Sequence, residues 1–179
     1  LFQMTKHFFF LSLVAILISC TSTDKTKKTD KNEWSNGHSV SYHKEVNERE
    51  QLSISLYLEQ HPELKKLIKT TETGLRYAII NSNEKGTYGK PGQTASLILN
   101  VSLLDGTPCY KTEDAYYDEC PIDRNDRESG LNEVLKLMRV GETAKLILPN
   151  HLAHGMIGDL ENIPPLAILL VTVELKELR

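Results

Sequence analysis

The sequence predicts an α+β fold in which a curved antiparallel β-sheet wraps on one amphipathic helix, with a short helical extension on its N-terminal side. Three observations lead to this prediction: segments that alternate apolar and polar residues, one segment with helical apolar spacing, and an ordinary globular composition. The 179 residues are 40% hydrophobic and 25% charged, which suits one domain with processing segments. The net charge of −3 and the lack of a basic, aromatic-studded stripe argue against a nucleic-acid partner.

The first residues have the pattern of a secretory signal. Translation starts at Met4 or, through an alternative codon, at Leu1, and Lys6 supplies a positive charge. Residues 8–18 then form an apolar run of about eleven residues, shorter than the ~20 residues that a helix needs to span a bilayer. The run therefore predicts a signal peptide rather than a transmembrane helix.

The signal ends in Leu17-Ile18-Ser19-Cys20, which resembles the bacterial lipobox. The resemblance implies that residues 1–19 are removed and that Cys20 carries lipid, so that the mature chain is anchored to a membrane. Two or more acyl chains make such an anchor stable, since each buried methylene contributes ~0.8 kcal/mol. Thr21 implies sorting to the outer membrane, with the polypeptide in the periplasm. A plain secretory signal or a short buried segment is the alternative.

Residues 20–44 are predicted to form a flexible tether. The stretch from Thr21 to Gly37 is polar, with Trp34 as its one large apolar residue. Such a stretch cannot bury enough apolar surface to offset the entropy lost when a chain becomes ordered. The tether is expected to join the lipid anchor to the folded part of the chain.

Residues 45–70 are predicted to form a helical extension. Leu52 and Leu56 lie four residues apart, and further apolar residues around Leu67 repeat at spacings of three and four. Pro62 interrupts this pattern, because proline inside a helix removes a hydrogen bond, so two short helices are expected. The extension is expected to pack on the following domain or to form a dimer contact.

Residues 71–179 are predicted to form a β-rich domain. Asp105-Gly106 is a strong turn signal after a long alternating run. One segment, from Leu131 to Met138, repeats its apolar residues at i, i+3, i+4 and i+7, and this helix is expected to cover one sheet face. The strand candidates are residues 75–79, 94–104, two pieces within 107–121, 143–148 and 169–178.

Several short motifs occur in this domain, and their order along the chain indicates a family resemblance. They are Leu103-Leu104-Asp105-Gly106, Ser129-Gly130-Leu131, Ala153-His154-Gly155, Ile163-Pro164-Pro165 and Val173-Glu174-Leu175. Together they resemble the FKBP-type peptidyl-prolyl cis-trans isomerase domain, and the resemblance implies an FKBP-like fold. The extension, the lipobox and the form of the motif that begins at Glu128 also resemble the gliding-motility-associated lipoprotein branch.

The resemblance implies that proline-containing segments of envelope proteins bind in an apolar pocket between the sheet and its helix. It also assigns this pocket to particular positions. The pocket positions are Leu99, Tyr110, Leu131, His154, Ile163 and Val171, and the rim positions are Lys111, Tyr117, Arg127 and Glu128. His154 stands where the family has a tyrosine that hydrogen-bonds the ligand carbonyl, and Lys111 stands where it has an aspartate.

The substitutions predict a pocket that stays apolar but gains charge. Leu131 replaces a tryptophan at the pocket floor, and Arg127-Glu128 replace two aliphatic residues of the family. Three functions are therefore open: a membrane-tethered prolyl isomerase, a catalytically weak chaperone or assembly module, and a structural lipoprotein. The second and third would serve an envelope complex, such as one linked to motility.

Other chemistry has little support in the sequence. Cys109 and Cys120 lie eleven residues apart, and either a disulfide or separate packing as small apolar residues is open. The histidines show no HExxH or Cys/His ligand spacing, so no metal is expected, and the resemblance implies no cofactor. The motifs GxSxG, P-loop and GxGxxG are absent, which leaves a hydrolase, kinase or dehydrogenase without support.

Overall fold

The computed structural model describes residues 36–124 and 127–179. The predicted signal peptide and Cys20, the predicted site of lipid attachment, lie outside the described residues. Within the described ranges, no helix combines the length and the apolar character needed to cross a bilayer. Helix α1 (Asn36–Gln60) and the shorter helix α2 (Pro62–Leu67) precede the sheet.

Among the described residues, seven strands form one antiparallel sheet, as predicted. Their order is β1-β2-β6-β7-β3-β4, and β5 also pairs with β3. The strands are β1 (Lys69–Thr70), β2 (Arg76–Asn81), β3 (Thr94–Leu103), β4 (Pro108–Lys111), β5 (Asp118–Pro121), β6 (Thr143–Leu148) and β7 (Leu169–Leu178). Strand β3 is central because β7 pairs along one side of it, while β4 and β5 share the other side.

Helix α3 (Ser129–Leu135) lies against the sheet through its apolar face, as the helical spacing predicts. A Cβ atom on Gly130 would lie 2.6 Å from Leu148 Cδ2, so the absence of a side chain at Gly130 lets the helix approach β6. The close approach fixes the start of α3, which borders the site described below. The buried residues of the helical repeat are Leu131, Val134, Leu135 and Met138.

Helix α1 is longer than predicted. It begins at Asn36, inside the predicted tether of residues 20–44, and has 25 residues rather than forming a short helix. Its first turns lack apolar periodicity, so the sequence pattern does not predict them. They can still extend the helix, because each residue added to a helix contributes one more backbone hydrogen bond. Pro62 separates the two helices as predicted and begins α2, where its missing N–H needs no partner. The last two residues of the predicted extension form β1 instead, because they pair with β2.

The packed face of α1 also differs from the predicted one. From Ser41 onward, α1 belongs to the same compact unit as the sheet. Leu52 and Leu56, whose spacing predicted the helix, are 60% and 54% exposed. The residues of α1 that are buried are Val46, Glu50 and Ile54. The predicted packing on the domain is therefore present through another face, and a dimer contact stays a prediction.

Strand register separates the two described cysteines. Val101 of β3 pairs with Tyr110, the neighbour of Cys109, whereas Ala95 of β3 pairs with Cys120. Six residues of strand between these pairs correspond to roughly 20 Å at ~3.3 Å per residue. The Cα atoms of a disulfide lie within about 7 Å, so the two thiols are not joined to each other.

Candidate active site

A cavity of about 530 Å³ opens between β3 and β4, the start of α3 and the loop of residues 153–163. Its size is in the range of small-ligand pockets and suits a short peptide segment. The sequence-predicted site residues that line it are Tyr110, Arg127, Glu128, His154 and Ile163. The further lining residues are Val101, Cys109, Ser129, Ala153, Asp159, Glu161 and Asn162.

Three predicted pocket residues lie in the core rather than on the cavity wall. Leu99, Leu131 and Val171 are buried, and they belong to the core cluster that also contains Ile163. Val101, two residues after Leu99 and on the same side of β3, takes the wall position. Because Val101 pairs with Val171 in the sheet, Val171 supports this wall position from the neighbouring strand without lining the cavity.

Two predicted rim residues do not line the cavity. Lys111 and Tyr117 are both exposed, and neither borders the cavity. Lys111 directly follows Tyr110 on β4, and successive side chains of a strand point to opposite faces. The charge reversal inferred at Lys111 therefore lies outside the cavity and does not change its lining.

A carboxylate that the sequence did not reveal, Asp118, holds Tyr110 in place. The Tyr110 hydroxyl donates a hydrogen bond to Asp118 Oδ1 at 2.6 Å. The Thr112 hydroxyl donates to Asp118 Oδ2 and accepts at 2.8 Å from the backbone N–H of Leu99. The hydrogen bond to Asp118, aided by burial, raises the pKa of Tyr110 above its ordinary value. Asp118 thus fixes the aromatic wall and makes loss of the phenol proton less favourable.

Arg127 links this carboxylate to a second one. Arg127 Nη1 lies 3.7 Å from Asp118 Oδ1, and Arg127 Nε lies 3.4 Å from Glu128 Oε2. Burial acts to lower the pKa of Arg127, but the neighbouring charges of Glu128 and Asp118 raise it overall. The charge that the sequence places in the pocket is therefore compensated by neighbouring side chains.

His154 lines the cavity, and its ring has a partner within the protein. His154 Nε2 lies 3.0 Å from Glu128 Oε1. A neutral imidazole has one N–H and an ionised carboxylate only accepts, so this contact places the N–H of neutral His154 on Nε2. The predicted hydrogen bond to a ligand carbonyl then competes with the bond to Glu128.

The loop of residues 153–163 is stiffened where it supplies Ile163 to the wall. Asp159 Oδ1 accepts from the backbone N–H groups of Glu161, Asn162 and Ile163 at 2.9, 2.9 and 2.7 Å. These hydrogen bonds, that of Ile163 foremost, lower the pKa of Asp159. A Cβ atom on Gly158 would lie 2.1 Å from the carbonyl oxygen of Ile163, so only glycine fits there. The loop thus presents Ile163 in one conformation.

The arrangement provides an apolar wall and a set of internally paired polar groups. Tyr110, Val101 and Ile163 supply the wall, and Asp118 and Glu128 hold polar neighbours through hydrogen bonds. Within the described ranges, no cluster of His, Cys, Asp and Glu could hold a metal ion. Such a site can bind a short apolar segment and change the environment of its backbone.

Comparisons with known proteins agree with this geometry. A family model for FKBP-type peptidyl-prolyl cis-trans isomerases matches residues 86–176. The FKBP-type 22 kDa peptidyl-prolyl cis-trans isomerase of Escherichia coli is 32% identical over 124 residues, which cover 68% of this chain. FkpA, another FKBP-type isomerase of that organism, is 32% identical over 116 residues, or 64% of this chain. The chain spans 58% and 41% of the lengths of these two relatives.

A solved structure shows the same fold. The crystal structure of a peptidyl-prolyl cis-trans isomerase from Pseudomonas syringae superposes with a TM-score of 0.61 at 20% identity. The match covers 75% of this chain and 94% of that structure. The sequence match over half of the chain and the shared fold lead to one conclusion: the chain belongs to the FKBP-type peptidyl-prolyl cis-trans isomerase family.

Proposed function

We propose that this chain accelerates cis–trans isomerisation of the peptide bond before proline in segments bound in the cavity. The barrier in solution is ~18–20 kcal/mol because the amide C–N bond has partial double-bond character. Twisting the bond removes this resonance and lowers the polarity of the amide. An apolar wall then favours the twisted form over the planar form, which is differential binding of the transition state.

The observation that carries the proposal is the wall of Tyr110, Val101 and Ile163 around the cavity in a chain of this family. Rotation about a C–N bond needs neither a nucleophile nor a general base. The bond from Tyr110 to Asp118 and the bond from His154 to Glu128 therefore act by holding the wall and rim in place. No step of the proposed mechanism transfers a proton to or from the substrate.

The test is an isomerisation assay with a short Xaa-Pro peptide and a soluble chain that begins at Thr21. Uncatalysed exchange takes tens to hundreds of seconds, so even weak catalysis is measurable. The native chain is expected to accelerate exchange, and Tyr110→Ala is expected to lower kcat/KM by about tenfold. Tyr116→Ala is the matched control, because Tyr116 is exposed and does not line the cavity. A folded chain that gives no acceleration at high concentration would contradict the proposal.

The cellular place of the protein is a second part of the proposal. The signal pattern and Leu17-Ile18-Ser19-Cys20 support a lipid-anchored protein of the cell envelope, on the outer membrane and facing the periplasm. Its substrates would then be proline-containing segments of envelope proteins. Labelling of cells with a palmitate analogue should mark the native chain and not Cys20→Ser. Equal labelling of both chains would contradict lipidation at Cys20.

The alternative function is a catalytically weak chaperone or assembly module of an envelope or motility complex. The loop that supplies Ile163 to the cavity also exposes Met156, Ile157 and Leu160, the last at 84%. Leu160 also has a positive φ of 67°, a conformation that side-chain-bearing residues adopt rarely. Apolar residues exposed beside a peptide cavity favour contact with unfolded chains.

An aggregation assay separates the two functions. If the loop binds unfolded chains, Leu160→Ser should weaken the suppression of aggregation of a denatured protein severalfold. The same variant should leave isomerisation of a short peptide unchanged, because Leu160 does not line the cavity. Glu113→Gln, at an exposed position outside both this loop and the cavity, serves as the control that retains the apolar surface. Unchanged suppression by Leu160→Ser would speak against the chaperone function.

A further inference from the structure

Glu50 on α1 is a buried carboxylate with an unusual position. Its side chain is 5% exposed, although it belongs to the helical extension and not to the sheet. Glu50 Oε1 accepts two hydrogen bonds from Asn150, from the backbone N–H at 2.6 Å and from the side-chain amide at 3.0 Å. Burial of a carboxylate is unfavourable unless other hydrogen bonds replace those it makes with water. Asn150 provides two such hydrogen bonds to Glu50.

Asn150 in turn organises the start of the loop that borders the cavity. Its carbonyl oxygen accepts from the backbone N–H groups of Ala153 at 3.1 Å and Gly155 at 2.8 Å. These two residues are the chain neighbours of His154, which lines the cavity. The carbonyl oxygen of Gly155 then accepts from Leu166 at 2.9 Å, which closes the other end of the loop. Asn150 is therefore the direct connection between Glu50 and the segment of His154.

The surroundings of Glu50 make this connection specific. A further cavity of about 290 Å³ lies between α1 and the loop, with Val46, Met156 and Leu166 in its lining. The helix thus does not fill the space beside the loop, and Glu50 and Asn150, which also line this cavity, are joined by hydrogen bonds. Burial lowers the pKa of Arg76, and the charge of Glu50 offsets part of that effect. The carboxylate therefore has a cationic neighbour from the sheet as well.

We propose that α1 from Ser41 onward is a functional part of the isomerase unit and that Glu50 is a positioning residue for the cavity. The carboxylate fixes Asn150, Asn150 fixes residues 153 and 155, and His154 is thereby held at the distance from which it contacts Glu128. The proposal rests on the proposed isomerase function for its kinetic consequence. Its structural part, the ordering of the His154 segment by α1, is independent of that function.

The kinetic test compares Glu50→Leu with Glu48→Leu on the same helix. Glu48 is exposed and pairs with Lys44, so its replacement should leave kcat/KM for a short Xaa-Pro peptide unchanged. Glu50→Leu should lower kcat/KM about fivefold per folded molecule, and Glu50→Gln, which keeps an acceptor oxygen, should restore most of it. Unchanged kcat/KM in Glu50→Leu, measured on a chain shown to be folded, would overturn the proposal.

Two further readouts distinguish positioning from simple stabilisation. Since Glu50 is proposed to act through His154, the effects of Glu50→Leu and His154→Ala on kcat/KM should not add. Amide exchange at Gly155 should quicken in Glu50→Leu and not in Glu48→Leu, while exchange in β3 stays slow. The exchange result stands even if the native chain proves inactive, because it needs no substrate. Additive kinetic effects, or equal exchange at Gly155 in both variants, would refute the positioning role.

Discussion

The apolar wall and the charged side of the cavity differ in what holds their side chains. Ile163 is buried in the core cluster, and Val101 is held in the sheet between β4 and β7. On the other side, Asp118, Arg127 and Glu128 are held by hydrogen bonds and ion pairs with one another and with their neighbours. The comparison teaches that charges beside a binding cavity need not be substrate contacts. Here Asp118 holds Tyr110 of the wall through a hydrogen bond, and Arg127 pairs with both Asp118 and Glu128.

The largest effect is expected from a change to the wall. Ile163→Ala removes part of a side chain that is 6% exposed, at a cost in unfolding free energy of about 2–5 kcal/mol. It should also lower kcat/KM by about tenfold or more, because the apolar surface that favours the twisted amide shrinks. Ile157→Ala, in the exposed part of the same loop, is the control for both readouts. Full activity of a folded Ile163→Ala chain would show that the wall is not where substrate binds.

A change to the charged side should have a smaller effect. Asp118→Asn weakens the support of Tyr110 but leaves Arg127 with Glu128, so kcat/KM should fall about threefold to tenfold. Removal of the carboxylate should also bring the pKa of Tyr110 back toward its ordinary value, since this hydrogen bond is the main cause of the raised pKa. NMR of labelled tyrosine measures this change. A tyrosine signal that titrates identically in both chains would contradict the assigned contact.

The same contact predicts a dependence of stability on alkaline pH. The pKa of Tyr110 is raised in the folded chain, so the folded state retains this proton after the unfolded state has lost it. The contribution to stability is therefore complete below the ordinary value of 10.0 and is lost as the pH rises through the raised pKa. Urea unfolding at pH values rising through 10.0 and above should show a steeper loss for the native chain than for Asp118→Asn. Parallel pH profiles would mean that the contact does not contribute.

Much of the fold followed from local patterns, because alternation and helical spacing are imposed by burial on one face. This is why the central strand β3 and helix α3 were predicted close to their observed bounds. The start of α1 was not, since its first turns show no apolar spacing and residues 38–41 are exposed. Its packed face was also missed, because a carboxylate, Glu50, occupies a buried position between Val46 and Ile54.

The site was predicted only in part, because its contacts join residues across a loop. Tyr110 and Asp118 are eight residues apart and meet because β4 and β5 both pair with β3. No spacing along the chain reveals that contact. The structure places His154 and Ile163 among the residues that line the cavity and Leu131 in the buried core, and the pocket roles implied by the family resemblance stay predictions. Matching positions one by one therefore indicates the region of the chain, while the structure shows which of these side chains border the cavity.

A change to Leu131 sharpens the difference between the wall and the core behind it. If Leu131 formed a pocket floor, Leu131→Trp would improve an undersized site. Because Leu131 is buried among core residues, we expect overpacking instead, with a loss of about 1–3 kcal/mol in unfolding free energy and no gain in kcat/KM. Leu131→Met is the control of similar volume. A faster enzyme with unchanged stability would place Leu131 on the cavity after all.

The smallest effect is expected at Lys111. Its side chain is exposed and outside the cavity, and Asp118 already supplies a carboxylate to Tyr110. Lys111→Asp should therefore change kcat/KM less than about twofold, as is typical of surface substitutions away from such contacts. Introduced into Asp118→Asn, the same change tests whether a carboxylate at position 111 can replace the one at 118. Rescue there would mean that the two positions share one role, because either carboxylate could hold Tyr110. Activity that stays low would mean that a carboxylate at position 111 cannot reach Tyr110. Strand alternation predicts this result, because successive side chains of β4 point to opposite faces.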